Sequence, residues 1–113
     1  MIRNVLNVLI LFLILLFDTH VYSIDFSQKA IESYILKISN KFSRTYCNTT
    51  KFGISKEGAL RFSIGETNKE FKNKKLNNLI DYKLLKNKIL VNLENNCNVY
   101  DFPIEKLEKL VFK

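Results

Sequence analysis

Histidine is almost absent from this 113-residue chain, and its scarcity excludes much of the usual catalytic chemistry. The single histidine, His20, lies in an apolar N-terminal segment that we expect to be removed from the mature protein. The remaining chain has no Ser-His-Asp or Cys-His arrangement, no histidine acid or base and no ligand set for most zinc sites. We predict a protein that is not an enzyme, with no catalytic residues, no metal site, no cofactor and no small-molecule ligand.

Glycine and proline are also scarce, with three and one in the whole chain. A β-sandwich or barrel usually needs more turn-forming residues, whereas plentiful leucine, lysine and glutamate favour helices. The predicted fold class is therefore all-α, a small domain of three to four helices. One alternative stays open near the C-terminus, where Ile89–Leu93 and Val99–Phe102 could pair as a short β-hairpin.

The first 23 residues have the organisation of a secretory signal peptide. Arg3 supplies a positive start, and Val5–Phe17 is apolar apart from one asparagine. These 13 residues are fewer than the roughly 17–25 that a membrane-spanning helix needs. Val21 and Ser23 then stand at the two positions before a cleavage point where a signal peptidase requires modest side chains. We predict a cleaved signal peptide over residues 1–23, with an uncleaved membrane anchor as the alternative.

Cleavage would leave residues 24–113, a stretch of 90 residues (113 minus 23) that can form one small domain. Its two cysteines are Cys47 and Cys97, and an even count in a small exported domain suggests one disulfide. The bond would close a loop of about 50 residues and stabilise the domain by on the order of 3–4 kcal/mol in the loop-entropy model. Two separately buried thiols are the alternative.

Three helices and a final short element are predicted from caps and from apolar residues at helical spacing. The clearest is the first helix, whose apolar stripe carries Ile35, Ile38 and Phe42 on one face. The third helix would end near Asn95, with asparagine in place of a glycine cap. The predicted boundaries are Ser27 to about Tyr46 for the first helix, Ser55 and Asp81 as caps of the second and third, and Pro103 as the start of the last element.

Positive charge is concentrated in one stretch, residues 69–88, which we call the lysine-rich segment. It holds seven lysines against Glu70 and Asp81, a net charge of +5 (7 minus 2) where the whole chain carries +7. We therefore predict docking on an acidic protein face or an anionic membrane surface. The alternative is a plain solvated surface in a composition rich in lysine and poor in arginine. The predicted partner-binding residues are Lys69, Lys72, Lys74, Lys75, Lys83, Lys86 and Lys88.

Nucleic acid is a disfavoured partner. Phosphate contacts need only well-placed cations, but the chain has no recognised base-reading motif and an exported protein rarely meets nucleic acid. The residues together predict an exported, non-catalytic binding or structural accessory module. Two alternatives stay open, a small secreted effector-like protein and an enzyme that works without histidine through carboxylate, tyrosine or lysine groups.

Three stretches carry a family resemblance. They are Ile38–Phe42 ahead of Cys47, Ala59–Glu66, and Asn92–Cys97 ahead of Tyr100–Pro103. They span most of the region after the signal, and in them the chain resembles a small exported protein of cyanobacteria of unknown function. The resemblance implies a location in the periplasm or the thylakoid lumen, and it implies no functional residue. The signal itself also allows an extracellular location, or membrane anchorage if it is not cleaved.

Overall fold

The structure is a computed structural model that describes residues 2–110 and 112, and the side chains of residues 4–11, 27–110 and 112. The chain divides into two compact units, Met1–Ala30 and Ile31–Lys113. The described residues are helical and contain no strand. The elements in order are α1 (Ile2–Lys51), α2 (Lys56–Phe71), a first 3-10 helix (Lys75–Leu79), α3 (Tyr82–Cys97) and a second 3-10 helix (Ile104–Lys109).

The β-hairpin alternative is wrong for the described residues. Ile89–Leu93 lies inside α3, and the stretch from Val99 to Phe102 has no regular secondary structure. The reason is the apolar spacing of α3, since Leu85, Ile89 and Leu93 fall one turn apart and are all fully buried. A strand that buried Ile89 and Leu93 would place Val91 on the same face, whereas Val91 is 50% exposed.

Both predicted helix caps are confirmed. The Ser55 hydroxyl accepts a hydrogen bond from the Gly58 backbone N–H at 3.1 Å and so begins α2. The Asp81 carboxylate accepts from the backbone N–H groups of Lys83 and Leu84 and so begins α3. The end of α3 comes slightly later than predicted, because Asn98 takes the left-handed conformation (φ 56°) that closes the helix.

The N-terminal unit lies within α1. Its apolar side chains from Val5 to Leu11 are exposed. Among the described residues, no helix has an apolar stretch long enough to cross a membrane. Val21 and Ser23, on which the cleavage prediction depends, lie outside the residues whose side chains the structure describes. Signal cleavage and the 24–113 domain boundary therefore stay predictions.

The second unit contains the hydrophobic core. The predicted stripe on α1 is confirmed, because Ile35, Ile38 and Phe42 are all buried. Other helices complete the core with side chains that lie far apart in sequence. They are Ala59, Leu60 and Phe71 from α2, Leu85, Ile89 and Leu93 from α3, and Leu107, Leu110 and Phe112 near the C-terminus.

The helix α1 begins at Ile2 rather than at the predicted Ser27, and its last turns extend beyond the predicted end at Tyr46. The Thr49 hydroxyl donates to the Thr45 carbonyl, and the Thr50 hydroxyl donates to the Tyr46 carbonyl. Both hydroxyls therefore find their hydrogen-bond acceptors within the helix. Gly53 then stops the helix with φ of 93°, and its N–H donates to the Thr50 carbonyl at 3.0 Å. The result is a tight turn between α1 and α2.

Candidate partner-binding surfaces

The lysine-rich segment runs from the last turn of α2 through the first 3-10 helix and into α3. Six of its seven lysines are exposed, and Lys86 is half-buried. Lys72 and Lys74 flank Asn73, whose left-handed backbone (φ 62°) turns the chain away from α2. The segment therefore presents its charges on an irregular connector as well as on a helix.

Neither carboxylate within the lysine-rich segment forms an ion pair with one of its lysines. Glu70 pairs with Lys41 of α1 at 3.5 Å, and Asp81 caps α3 with its side-chain oxygen. Across the described part of the chain this is the one ion pair, so none of the seven lysines is neutralised by direct contact with a carboxylate. Their charge is available to a partner.

The lysines on α3 do not share one face. Lys83 and Lys86 are three residues apart and are therefore neighbours on the helix surface. Lys88 is two residues beyond Lys86, a rotation of about 200° on a helix with 3.6 residues per turn, and lies on the opposite flank. The segment thus has two charged flanks, which its linear charge count did not reveal.

A buried asparagine holds the connector that carries Lys72, Lys74 and Lys75. The Tyr34 hydroxyl donates to Asn77 Oδ1 at 2.5 Å, and Asn77 Nδ2 donates to the Phe71 carbonyl at 2.8 Å. Burial raises the pKa of the Tyr34 phenol, and the nearby phenol of Tyr82 raises it further. Asn77 was not identified from the sequence, where it is one polar residue among several in a connector.

The predicted disulfide between Cys47 and Cys97 is present, with the two Cα atoms 5.7 Å apart. Cys47 lies one turn before the end of α1 rather than after it, and Cys97 is the last residue of α3. The bond therefore joins the C-terminal ends of two helices. Aromatic rings pack nearby, where Tyr46 and Phe102 meet edge to face at a centroid distance of 5.3 Å.

A cavity of about 340 Å³ opens beside this aromatic pair. Its charged lining has both signs, with Lys56 and Lys106 against Glu57 and Asp101. Burial raises the pKa of the Tyr46 phenol, and the Asp101 carboxylate adds to that effect. The phenol therefore stays protonated at neutral pH and offers hydrogen bonding rather than an activated base.

An apolar feature at the turn between α1 and α2 is not evident from the sequence. Phe52 is 86% exposed, Ile54 51% and Phe62 53%. These three residues, which we call the apolar tip, line a groove of about 430 Å³ together with polar side chains of α1 and α2. The sequence pattern that could have indicated this exposed turn is Phe52 beside Gly53, with Lys51 and Lys56 on either side.

No family model, no curated protein and no solved structure matches this chain. Within the residues that the structure describes, no three histidine, cysteine or acidic side chains come together as a metal site. Function is therefore inferred from the chemistry of the described surfaces.

Proposed function

We propose that this protein is an exported, non-catalytic binding module that docks on an acidic partner surface through the lysine-rich segment. The observation that supports this most directly is that none of the seven lysines forms an ion pair within the described residues, while Glu70 pairs with Lys41 of α1. The segment carries a net charge of +5 even with Glu70 and Asp81 counted. Such a surface attracts an oppositely charged partner and accelerates encounter with it.

An acidic protein face is favoured over an anionic membrane. Lys83 and Lys86 lie on one flank of α3, and Lys88 lies on the other. A planar bilayer approaches one flank at a time, whereas a concave protein surface can contact both. An anionic membrane remains the other outcome of the test, since each lysine at such a surface contributes about 1 kcal/mol.

The test is charge reversal in the exposed connector, Lys72→Glu, Lys74→Glu and Lys75→Glu together. Retention of the full chain on immobilised polyglutamate should weaken by on the order of a hundredfold, because three favourable contacts become repulsive. It should also weaken with rising salt, since exposed charges are screened over about 8–10 Å. Far-UV circular dichroism should remain unchanged, because all three side chains are exposed.

The matched control reverses three exposed lysines elsewhere, Lys37, Lys106 and Lys109, with the same change in net charge. It should retain most of the binding. Equal losses in both variants would mean that only the net charge matters, and the proposal would be wrong. Flotation with anionic and zwitterionic vesicles separates the partner classes, because only an anionic membrane attracts the lysine-rich segment electrostatically.

A further inference from the structure

We infer that the turn between α1 and α2 is a lipid-insertion site, at which the apolar tip enters the interface of an anionic phospholipid bilayer. This inference does not depend on the lysine-rich segment. It rests on the exposure, the fixed geometry and the charge surroundings of Phe52, Ile54 and Phe62.

The exposure of the apolar tip is built into the fold. Phe52 N–H donates to the Asn48 carbonyl at 3.1 Å and Ile54 N–H donates to the Thr49 carbonyl at 3.3 Å, so the turn backbone is fixed. Ile54 also lies against α2, since a Cβ added at Gly58 would meet its Cγ2 at 3.1 Å. Phe52 is 86% exposed on a turn whose backbone is already ordered. Its insertion into a bilayer would therefore cost little further backbone entropy.

The charges around the apolar tip fit an anionic bilayer. From Arg44 to Phe62 the chain carries two arginines and two lysines against Glu57, a net charge of +3 (4 minus 1). Lys41 and Glu66 also line the groove, and their opposite charges leave this excess unchanged. All four cations are exposed, and Lys51 and Lys56 stand directly beside the turn. Long basic side chains can reach the phosphate groups while an aromatic ring and an aliphatic side chain enter the interface between them.

A second copy of the chain is a poorer occupant of the same surface. Two apolar tips placed face to face would bring Lys51 and Lys56 near the same lysines of the other copy. Like charges opposed across an interface are costly. An anionic lipid surface uses the same lysines favourably.

Phe52 and Ile54 of the apolar tip precede α2, Phe62 lies within it, and Lys72 follows its last residue. The 16 residues of α2 cover about 24 Å at 1.5 Å per residue. This exceeds the distance of about 8–10 Å over which salt screens exposed charges. With α2 upright on the bilayer, insertion of Phe52 and Ile54 would leave Lys72, Lys74 and Lys75 away from the membrane surface and available to a protein.

Tryptophan reporters test this inference, because the chain contains no tryptophan. Phe52→Trp places a reporter at the apolar tip, and Leu79→Trp places a control reporter at the lysine-rich end, where Leu79 is also 59% exposed. The full-length variants are mixed with vesicles that contain anionic phospholipid, some of it brominated along the acyl chain. Phe52→Trp emission should shift to the blue and be quenched by bromine, whereas Leu79→Trp emission should change little.

Each other outcome overturns the inference. Quenching of Leu79→Trp without Phe52→Trp would show that the lysine-rich end meets the bilayer, which would support the membrane form of the proposed function. Equal quenching of both reporters would show unspecific adsorption, and absence of quenching would show no insertion. A blue shift without lipid, with a dimer in analytical ultracentrifugation, would identify a second copy as the occupant.

The charge requirement is tested in the Phe52→Trp background. Lys51→Gln and Lys56→Gln together should lower apparent affinity for anionic vesicles by about tenfold or more. The same pair should have little effect with zwitterionic vesicles, whose surface carries no net charge. An equal effect on both vesicle types would contradict the role of these lysines.

Discussion

The two ends of the Ile31–Lys113 unit are held together by different chemistry. At one end, which we call the cysteine end, the disulfide of Cys47 and Cys97 lies beside the Tyr46–Phe102 aromatic pair. At the other, the lysine end, Asn77 is hydrogen-bonded to Tyr34 and to the Phe71 backbone. The cysteine end is covalently closed, whereas the lysine end depends on buried hydrogen bonds and on ring contacts such as Tyr34 with Phe71.

Because of this difference, the stability of the cysteine end depends on redox conditions and that of the lysine end does not. A disulfide persists in an oxidising compartment and is lost in a reducing one. The hydrogen bonds of Asn77 are the same in both. Reduction should therefore loosen the cysteine end, next to the apolar tip, and leave the local contacts of the lysine end in place.

Replacement of both cysteines should change the free energy of unfolding more than any other variant considered for the two ends. Cys47→Ser with Cys97→Ser removes the constraint on a loop of about 50 residues and should lower the free energy of unfolding by about 3–4 kcal/mol. Urea denaturation of oxidised wild type and the double variant measures the difference. Reduced wild type is the matched control and should resemble the variant.

Oxidised wild type and the double cysteine variant also test whether the disulfide affects the lysine end. Where the double variant is still folded, its retention on polyglutamate should equal that of the wild type, because the lysine end has no covalent link to lose. A parallel loss of stability and of polyglutamate binding would show instead that the disulfide holds both ends.

Removal of the Asn77 side chain should have the next largest effect. Asn77→Ala leaves the Phe71 carbonyl and the Tyr34 hydroxyl without their partner, which should cost about 1–3 kcal/mol of unfolding free energy. Asn78→Ala is the matched control, since Asn78 is exposed in the same 3-10 helix and should change stability little. A double-mutant cycle with Tyr34→Phe isolates the coupling between the two side chains.

An unchanged stability in Asn77→Ala would mean that ring packing alone holds the lysine end. The cycle would then give no coupling energy between Tyr34 and Asn77. A loss confined to Asn77→Ala, without coupling to Tyr34, would assign the effect to the bond with the Phe71 carbonyl.

The parts of the fold that could be predicted depend on local spacing or on a simple count. Ser55 and Asp81 cap helices through neighbours two or three residues away, so their role is visible in the sequence. The stripe of Ile35, Ile38 and Phe42 is visible for the same reason. The disulfide followed from the presence of two cysteines in a chain with a signal-like start.

The parts that could not be predicted depend on distant partners. Asn77 is buried because Tyr34, 43 residues earlier, reaches it, and nothing near Asn77 in the sequence indicates this. The exposure of Phe52 is not evident from the sequence, because aromatic residues are more often buried than exposed. The charge of the lysine-rich segment was predictable from its composition, but its two flanks on α3 required the helix itself.

The smallest expected effect is the alkaline loss of stability that comes from one buried tyrosine at each end. The pKa values of Tyr34 and Tyr46 are both raised above the ordinary value of 10.0, mainly by burial. The unfolded chain therefore releases these phenol protons first as pH rises. It then binds fewer protons than the folded chain, so the free energy of unfolding should fall above about pH 10.

Single phenylalanine variants assign this fall to each end. Tyr34→Phe should remove the contribution of the lysine end and Tyr46→Phe that of the cysteine end, measured as the difference in unfolding free energy between pH 8 and pH 11 (~3 units that span the tyrosine range). The Tyr34→Phe variant lacks the Tyr34 hydrogen bond at both pH values, so this loss cancels when the two unfolding free energies are subtracted. Tyr100→Phe is the control, because Tyr100 is 73% exposed. If all three variants lose stability with pH as steeply as the wild type, lysine deprotonation rather than tyrosine burial governs the alkaline limit, and the two ends do not differ in this respect.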